Sequence, residues 1–289
     1  MLRDAAVDIP PSTVTTPADL EALDGAARKF ETPCGAGLIR WRSWGQGTPV
    51  VLLHGGAGSW THWVRNIAVL VAAGRRVWIP DMPGFGESAA PPDGDDADAV
   101  ARWLARGFPL VADGAVDVVA FSFGALVGTF VAVEQPALVN RLVLVGAPSL
   151  SADPLPRIEL RPWQDAQEGE ARRAVHRHNL AELMLAHEAS IDPLAVHLHA
   201  QNVARDRLQR RRLMLGDTLL KLLPRLQCPL WGIWGTQDAL YRDRLEIIGN
   251  ALAHAPDLQQ LSLVAQAGHW VQYERSAAFN ALLRRILAA

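Results

Sequence analysis

The sequence predicts a mainly parallel, doubly wound α/β sheet interrupted by one all-helical insertion, and three observations carry that expectation. Short continuous apolar runs recur at residues 49–53, 77–79, 116–121, 142–145, 230–234 and 261–264. Strands that are apolar on both faces belong in a parallel sheet covered by helices on both sides. Helical spacing sits between these runs, as in Trp60, Val64, Ile67 and Val71, or Tyr241, Leu245, Ile248 and Leu252. A last stripe is Phe279, Leu282, Leu283, Ile286 and Leu287, again on one helical face. The alternation stops between Leu150 and Leu223, where the chain turns charged and shows helical spacing without a strand-like run.

Taken in order, residues 1–35 read as a loosely held arm, with proline and threonine crowded over 9–17 and a short helix over 18–28. Residues 38–44 alternate apolar and polar as a half-buried edge strand does. Gly45-Gln46-Gly47 turns the chain into the first fully apolar run, and a glycine loop, His54-Gly55-Gly56-Ala57-Gly58, follows it. The core is expected over 36–149 and 225–289. The insertion, 150–224, is bounded by Pro154-Leu155-Pro156 and Leu223-Pro224 and would lie over the strand ends as a lid. Ligands of such sheets bind beyond the carboxyl ends of the strands.

Composition excludes several classes. The 289 residues suffice for one large domain or a core with a sizeable insertion. A net charge of −2 gives no drive toward nucleic acid or a membrane surface. Cys34 and Cys228 each stand alone beside a proline, which fits neither a disulfide framework nor a thiolate metal site. Early acids and no apolar run after Met1 argue against a secretory signal, and no apolar stretch is long enough to span a membrane. The expectation is a cytoplasmic protein acting on a small molecule, without metal, cofactor, nucleic-acid or membrane partner, and with homo-oligomerisation left open.

The chemistry centres on residues 116–128, an apolar strand, one serine between small residues, and an apolar helix. That is the form of a nucleophile elbow, in which a strained turn lifts the serine hydroxyl clear of its backbone. The positions two before and two after Ser122 must be nearly bare, and they are Ala120 and Gly124, one glycine short of G-x-S-x-G. A nucleophilic serine needs a base and an acid to orient that base, in the order serine, acid, histidine on such a sheet. Asp238 follows the run 230–234 and His269 follows 261–264, each just past a strand end. Ser122, Asp238 and His269 are therefore the expected triad. The backbone N–H groups of Phe123 and Gly56 are the expected oxyanion donors, with Gly55 beside them. His54 is read as a brace of the loop.

These residues resemble the α/β-hydrolase superfamily from about Gly37 onward, through His54-Gly55-Gly56, the segment 81–88, the Ser122 elbow, Gly235-Thr236-Gln237-Asp238 and Gly268-His269. The resemblance implies the α/β-hydrolase fold with a lid and a structural Asp81. A narrower resemblance, carried by residues 268–274 with Phe279 and by Arg65-Asn66-Ile67, is to the carbon–carbon bond hydrolases of aromatic ring-fission products. It implies that Trp270 lines the substrate pocket and that His62 stands where a polar pocket residue belongs. That group shows asparagine before the serine and methionine after it, where this chain has Phe121 and Phe123. Two phenylalanines make the surroundings of the nucleophile more apolar. The expectation is a hydrolase of a small, largely apolar carboxylic ester, with carbon–carbon hydrolysis as the alternative. An acyltransferase and a non-catalytic binding protein of the same fold are the readings from other classes.

Within the insertion, a helix starting near Pro193 places Leu194, Leu198, Asn202, Arg205 and Leu208 on roughly one face. Asn202 and Arg205 there either read a substrate carbonyl or carboxylate or point to solvent, and Arg205 is the candidate substrate contact. His176 and His178, like His197 and His199, are two apart, which splits each pair across a helix and argues against zinc. The arginines of 205–212, interleaved with Asp206 and Gln209, read as a solvated face.

Overall fold

The computed structural model describes residues 13–208 and 210–288. Among them, β1 (Arg28–Cys34), β2 (Gly37–Trp44), β3 (Thr48–Leu53), β4 (Arg75–Pro80), β5 (Val116–Phe121), β6 (Val139–Val145), β7 (Leu230–Gly235) and β8 (Leu258–Val264) form one sheet. Its order is β1-β2-β4-β3-β5-β6-β7-β8. All pairs from β4 to β8 are parallel, and β1 and β2 add an antiparallel edge. Every expected apolar run lies inside a strand.

Those runs are continuous because both faces are covered. Val51, Leu53, Val118, Ala120, Leu142 and Leu144 face one buried cluster. Their neighbours Val50, Leu52, Val119, Phe121, Val143 and Val145 face the other, as the two-residue period of a strand requires. On the first side pack α3 (Ala97–Val111) and α4 (Phe123–Glu134); on the second pack α2 (Ile67–Ala72) and α10 (Ser276–Ala288). A short α8 (Glu246–Leu252) joins β7 to β8, and the single turn α9 (Val271–Glu274) precedes α10. The stripe that begins at Trp60 is two pieces, a 3-10 turn at Trp60–Trp63 and then α2.

The amino-terminal region differs from the loose arm expected over 1–35. Arg28–Cys34 is the edge strand β1, so residues 38–44 lie inside the sheet, paired with both β1 and β4. The apolar pattern misses β1 because its outer positions are charged, as befits an edge. Ahead of it, α1 (Pro17–Gly25) begins with a capping box between Thr16 and Asp19 and buries Leu20 and Leu23. The Trp44 indole donates to the Leu23 carbonyl at 2.9 Å and pins this helix to β2. Residues 1–12, which include the start of the proline- and threonine-rich stretch, and Gln209 lie outside the described residues.

At the amino ends of the strands, buried Asp117 is paired with Arg75 and Arg141. Both arginines also donate to carbonyls of α10, Leu287 and Ile286. This closes the bottom of the sheet and leaves chemistry to the opposite end. No helix among the described residues is long and apolar enough to cross a membrane.

Between β6 and β7 the chain forms α5 (Glu170–Asn179), a π-helical turn (Leu180–Met184), α6 (Pro193–Ala204) and α7 (Thr218–Leu222), with no strand among the described residues. The insertion is bonded to loops that leave the carboxyl ends of three strands. Asn202 holds Ser59 and Thr61 after β3. The Arg207 N–H donates to the Gly84 carbonyl after β4. The Trp270 N–H after β8 donates to the Met184 carbonyl. The insertion thus spans the end of the sheet where the polar candidates gather.

Candidate active site

Ser122 ends β5 and precedes α4 with φ +52° and ψ −121°. A side-chain-bearing residue avoids this region unless its surroundings impose it. The imposition is visible. A Cβ on Gly124 would stand 2.3 Å from the His54 carbonyl oxygen, so α4 packs backbone against backbone on the end of β3. Ala120 is tolerated in place of glycine because it faces Gly128, where a Cβ would lie 3.1 Å from the Ala120 methyl. The missing glycine has its counterpart one helical turn further on.

The loops after β7 and β8 bring Asp238 and His269 to Ser122. His269 Nε2 lies 2.9 Å from Ser122 Oγ, and Nδ1 lies 2.9 and 3.0 Å from the two Asp238 oxygens. All three residues are buried. The network assigns Nδ1–H as donor to the carboxylate and leaves Nε2 to accept from the serine hydroxyl. Asp238 also accepts the Leu240 N–H at 3.0 Å. Two glycines make the approach possible; the sequence marks Gly235 only as the start of the segment 235–238 and does not mark Gly146. A Cβ on Gly235 would stand 2.2 Å from the Ala267 carbonyl oxygen, and one on Gly146 would sit 3.3 Å from both Asp238 and His269.

The loop after β3 supplies amides. The Gly55 N–H is occupied, donating to His62 Nδ1 at 3.2 Å. The Gly56 N–H has no acceptor among the described residues, and the Phe123 N–H, first in its helix, has none within that helix. His54 is a brace, as expected: its Nδ1–H donates to the Gly55 carbonyl and its Nε2 accepts the Met82 N–H. Asp81 is structural too, accepting the N–H groups of Trp60 and Glu87.

Around Ser122 the walls are aromatic. The Phe121 ring lies 5.0 Å from His269 and 5.5 Å from His62, and His62 lies 5.0 Å from Trp270. Trp270 stacks on Tyr273 and donates its indole N–H to the His62 carbonyl. Glu274 was not foreseen as important. Its buried carboxylate accepts the N–H groups of Gly268, Ala186 and His187 at 2.6, 3.1 and 2.9 Å. It ties the residue before His269 to the insertion.

Two expectations for the insertion are corrected. Asn202 points neither to solvent nor to a ligand, being buried and bonded to Ser59 and Thr61. Arg205 is not brought to the site: its side chain is 55% exposed and faces Glu87 at 3.9 Å, because it lies just past the end of α6. Arg211 instead reaches the glycine loop. His176 and His199, each split by spacing from the second histidine of its own helix, meet across α5 and α6 with Nδ1 atoms 3.0 Å apart.

Three of these imidazoles are held neutral. Burial pushes His54 and His199 down to about 4, and His62 well below the usual histidine value. The unfolded chain takes up these protons near pH 6.5 and the folded one only at lower pH, so acid favours unfolding. Stability is expected to fall as pH drops from about 6.5 toward 4, by about 3 kcal/mol each for His54 and His199 across that window. Urea midpoints at pH 7 and pH 5 check this. Equal midpoints would contradict it.

Residues 50–282 match the alpha/beta hydrolase family. A 2-hydroxy-6-oxo-6-phenylhexa-2,4-dienoate hydrolase from Burkholderia cepacia is 28% identical over 93% of this chain and 99% of its own. A 2-hydroxymuconate semialdehyde hydrolase from a Pseudomonas species is also 28% identical, over 84% and 88% of the two chains. Among solved structures, an esterase from a Rhodococcus species superposes with a TM-score of 0.73 at 21% identity, covering 91% of this chain and 98% of that one. A meta-cleavage product hydrolase from Pseudomonas fluorescens gives 0.72 at 19% identity, covering 90% and 97%.

Proposed function

The chain belongs to the alpha/beta hydrolase family, and from that premise we propose that it is a serine hydrolase of a small, largely apolar carboxylic ester. Ser122 is the nucleophile, His269 the general base and acid, and Asp238 the group that orients the imidazole and stabilises its protonated form. The observation that carries this reading is the continuous relay from Asp238 through His269 to Ser122 Oγ, with every link at 2.9–3.0 Å.

As Ser122 Oγ adds to the ester carbonyl, its proton passes to His269 Nε2. The Gly56 and Phe123 amides receive the oxyanion, and the leaving alkoxide takes the proton from His269. Water, deprotonated by the same imidazole, then releases the acid and restores Ser122. The insertion acts as a lid that keeps bulk water from this relay and strengthens its electrostatics. Phe121 and Trp270 favour an apolar acyl or alcohol group, and His62 adds one polar contact among them.

A second reading, carbon–carbon hydrolysis of a ring-fission product, has its own support, since relatives that align with most of this chain are named as a 2-hydroxy-6-oxo-6-phenylhexa-2,4-dienoate hydrolase and a 2-hydroxymuconate semialdehyde hydrolase. In that case the same groups cleave a carbon–carbon bond after ketonisation of the dienol. A panel of short-chain aryl esters beside a ring-fission dienoate separates the two, with labelling by a fluorophosphonate as the common control. Ester turnover exceeding dienoate turnover at least tenfold in kcat/KM is the expected result. The reverse ratio replaces the ester reading by the second one, and no labelling at Ser122 removes both.

A further inference from the structure

We propose that Arg211 is a third oxyanion donor, a cationic one, delivered by the insertion to the cradle formed by the Gly56 and Phe123 amides. The proposal rests on the serine-hydrolase reading and adds a residue to its machinery. Three observations place the group. A Cβ built on Gly56 would lie 2.8 Å from Arg211 Nη1 and 3.5 Å from Phe123 Cβ. The guanidinium therefore fills the space that a side chain at position 56 would take, on the side of the loop that faces Phe123. Nη1 is buried and has no hydrogen-bond partner among the described residues, whereas buried N–H groups are ordinarily satisfied. The rest of the guanidinium is fixed: Nη2 is 2.9 Å from Asp206 Oδ2, and its carbon lies 5.7 and 5.8 Å from the Phe85 and Phe123 ring centres.

An oriented cation whose buried N–H is unused among the described residues, at the face of Gly56 that looks toward Phe123, matches an oxygen that gains charge only during reaction. When Ser122 Oγ bonds to the carbonyl carbon, the carbonyl π pair moves onto oxygen and the serine proton moves to His269. That oxygen is expected to accept from Gly56 N–H, Phe123 N–H and Arg211 Nη1–H together. When the adduct collapses, the pair returns to the carbon–oxygen bond and the leaving alkoxide takes the proton from His269. The ground-state carbonyl carries little charge, so Arg211 acts on the transition state rather than on binding. Position 56 must then stay glycine to admit the guanidinium. Asp206 limits the full positive charge and holds its direction.

The test is a neutral aryl ester, 4-nitrophenyl butyrate, turned over by the full-length protein and by Arg211→Met and Arg211→Lys. Methionine keeps apolar contact with Phe85 and Phe123 while removing the donor. It is expected to lower kcat about 10²-fold with KM changed less than threefold. Lysine, which keeps the charge but shortens the reach, is expected to lose about tenfold. Affinity for a trifluoromethyl ketone, which forms the tetrahedral adduct on Ser122, is expected to fall in parallel with kcat/KM. Thermal unfolding within 2 °C of the unsubstituted protein shows that the effect is local. Should the methionine variant unfold, the lysine variant carries the test alone. An unchanged kcat in the folded variants overturns the proposal. So does a loss confined to KM for carboxylate-bearing esters, which would make Arg211 a substrate contact instead. Either outcome leaves fluorophosphonate labelling of Ser122 intact, whereas absence of that labelling in the unsubstituted protein strikes the underlying reading.

Discussion

Replacing Ser122 by alanine is expected to lower kcat by roughly 10⁴- to 10⁶-fold while leaving the fold in place. The magnitude follows from what the residue holds. Its Oγ is the atom to which the His269 imidazole is aimed at 2.9 Å, and no other hydroxyl among the described residues shares that partner. Alanine occupies the same backbone conformation at φ +52° with no larger steric demand than serine. The variant loses one hydrogen bond, about 1 kcal/mol, and keeps the packing around Gly124 and Gly128. Residual turnover would come from the amides and binding alone, holding a carbonyl for attack by water that no side chain activates. The measurement is kcat on the best ester of the panel, with circular dichroism melts beside it. More than about 1% of the original kcat in a folded variant would mean that Ser122 is not the covalent nucleophile.

How much of this could be read before the structure depends on which residues carry chemistry and which carry clearance. Ser122, Asp238 and His269 were legible because each is a reactive side chain placed just past an apolar run, and strand ends are easy to find. The clearance at Gly146 and Gly235 was not, although the loops bearing Asp238 and His269 make close contact there. The role of these glycines is to lack a Cβ where two loops touch, and those contacts join segments far apart in sequence. Ala120 looked like a defect in the elbow for the same reason, since its compensation at Gly128 is a property of packing between β5 and α4. The edge strand β1 escaped because its pattern is charged, and charge on an edge satisfies solvent rather than a core.

The insertion was legible as helical but not in which residues it turns inward. Arg205 and Arg211 are equivalent in a reading of composition. One follows directly on the end of α6 and stays half-exposed, while the other is drawn down between Phe85 and Phe123 by Asp206. Glu274 entered only as the end of the segment 268–274 that carries the family resemblance, with no role of its own. A lone glutamate on a short helix reads as solvated, yet here three backbone N–H groups from two segments converge on it.

The substitution Asp238→Asn isolates orientation from nucleophilicity, and a loss of about 10⁴-fold in kcat is expected from it. Asparagine keeps the size of the side chain and, through its amide oxygen, the bond from the Leu240 N–H. What changes is the face shown to His269. The amide NH₂ donates to Nδ1, which drives the imidazole proton to Nε2, where it opposes the Ser122 hydroxyl instead of accepting from it. No negative charge then balances the imidazolium that forms as Ser122 attacks. KM is expected to stay within a few-fold, because Asp238 is buried behind His269 and meets no substrate. Kinetics of the single and paired variants decide whether the three residues act as one unit. If they do, Ser122→Ala combined with Asp238→Asn is no slower than Ser122→Ala alone, since the second change damages a relay already without its terminal atom. A further multiplicative loss in the pair would mean that Asp238 and His269 serve a water-based reaction independent of the serine, and the covalent mechanism would fall.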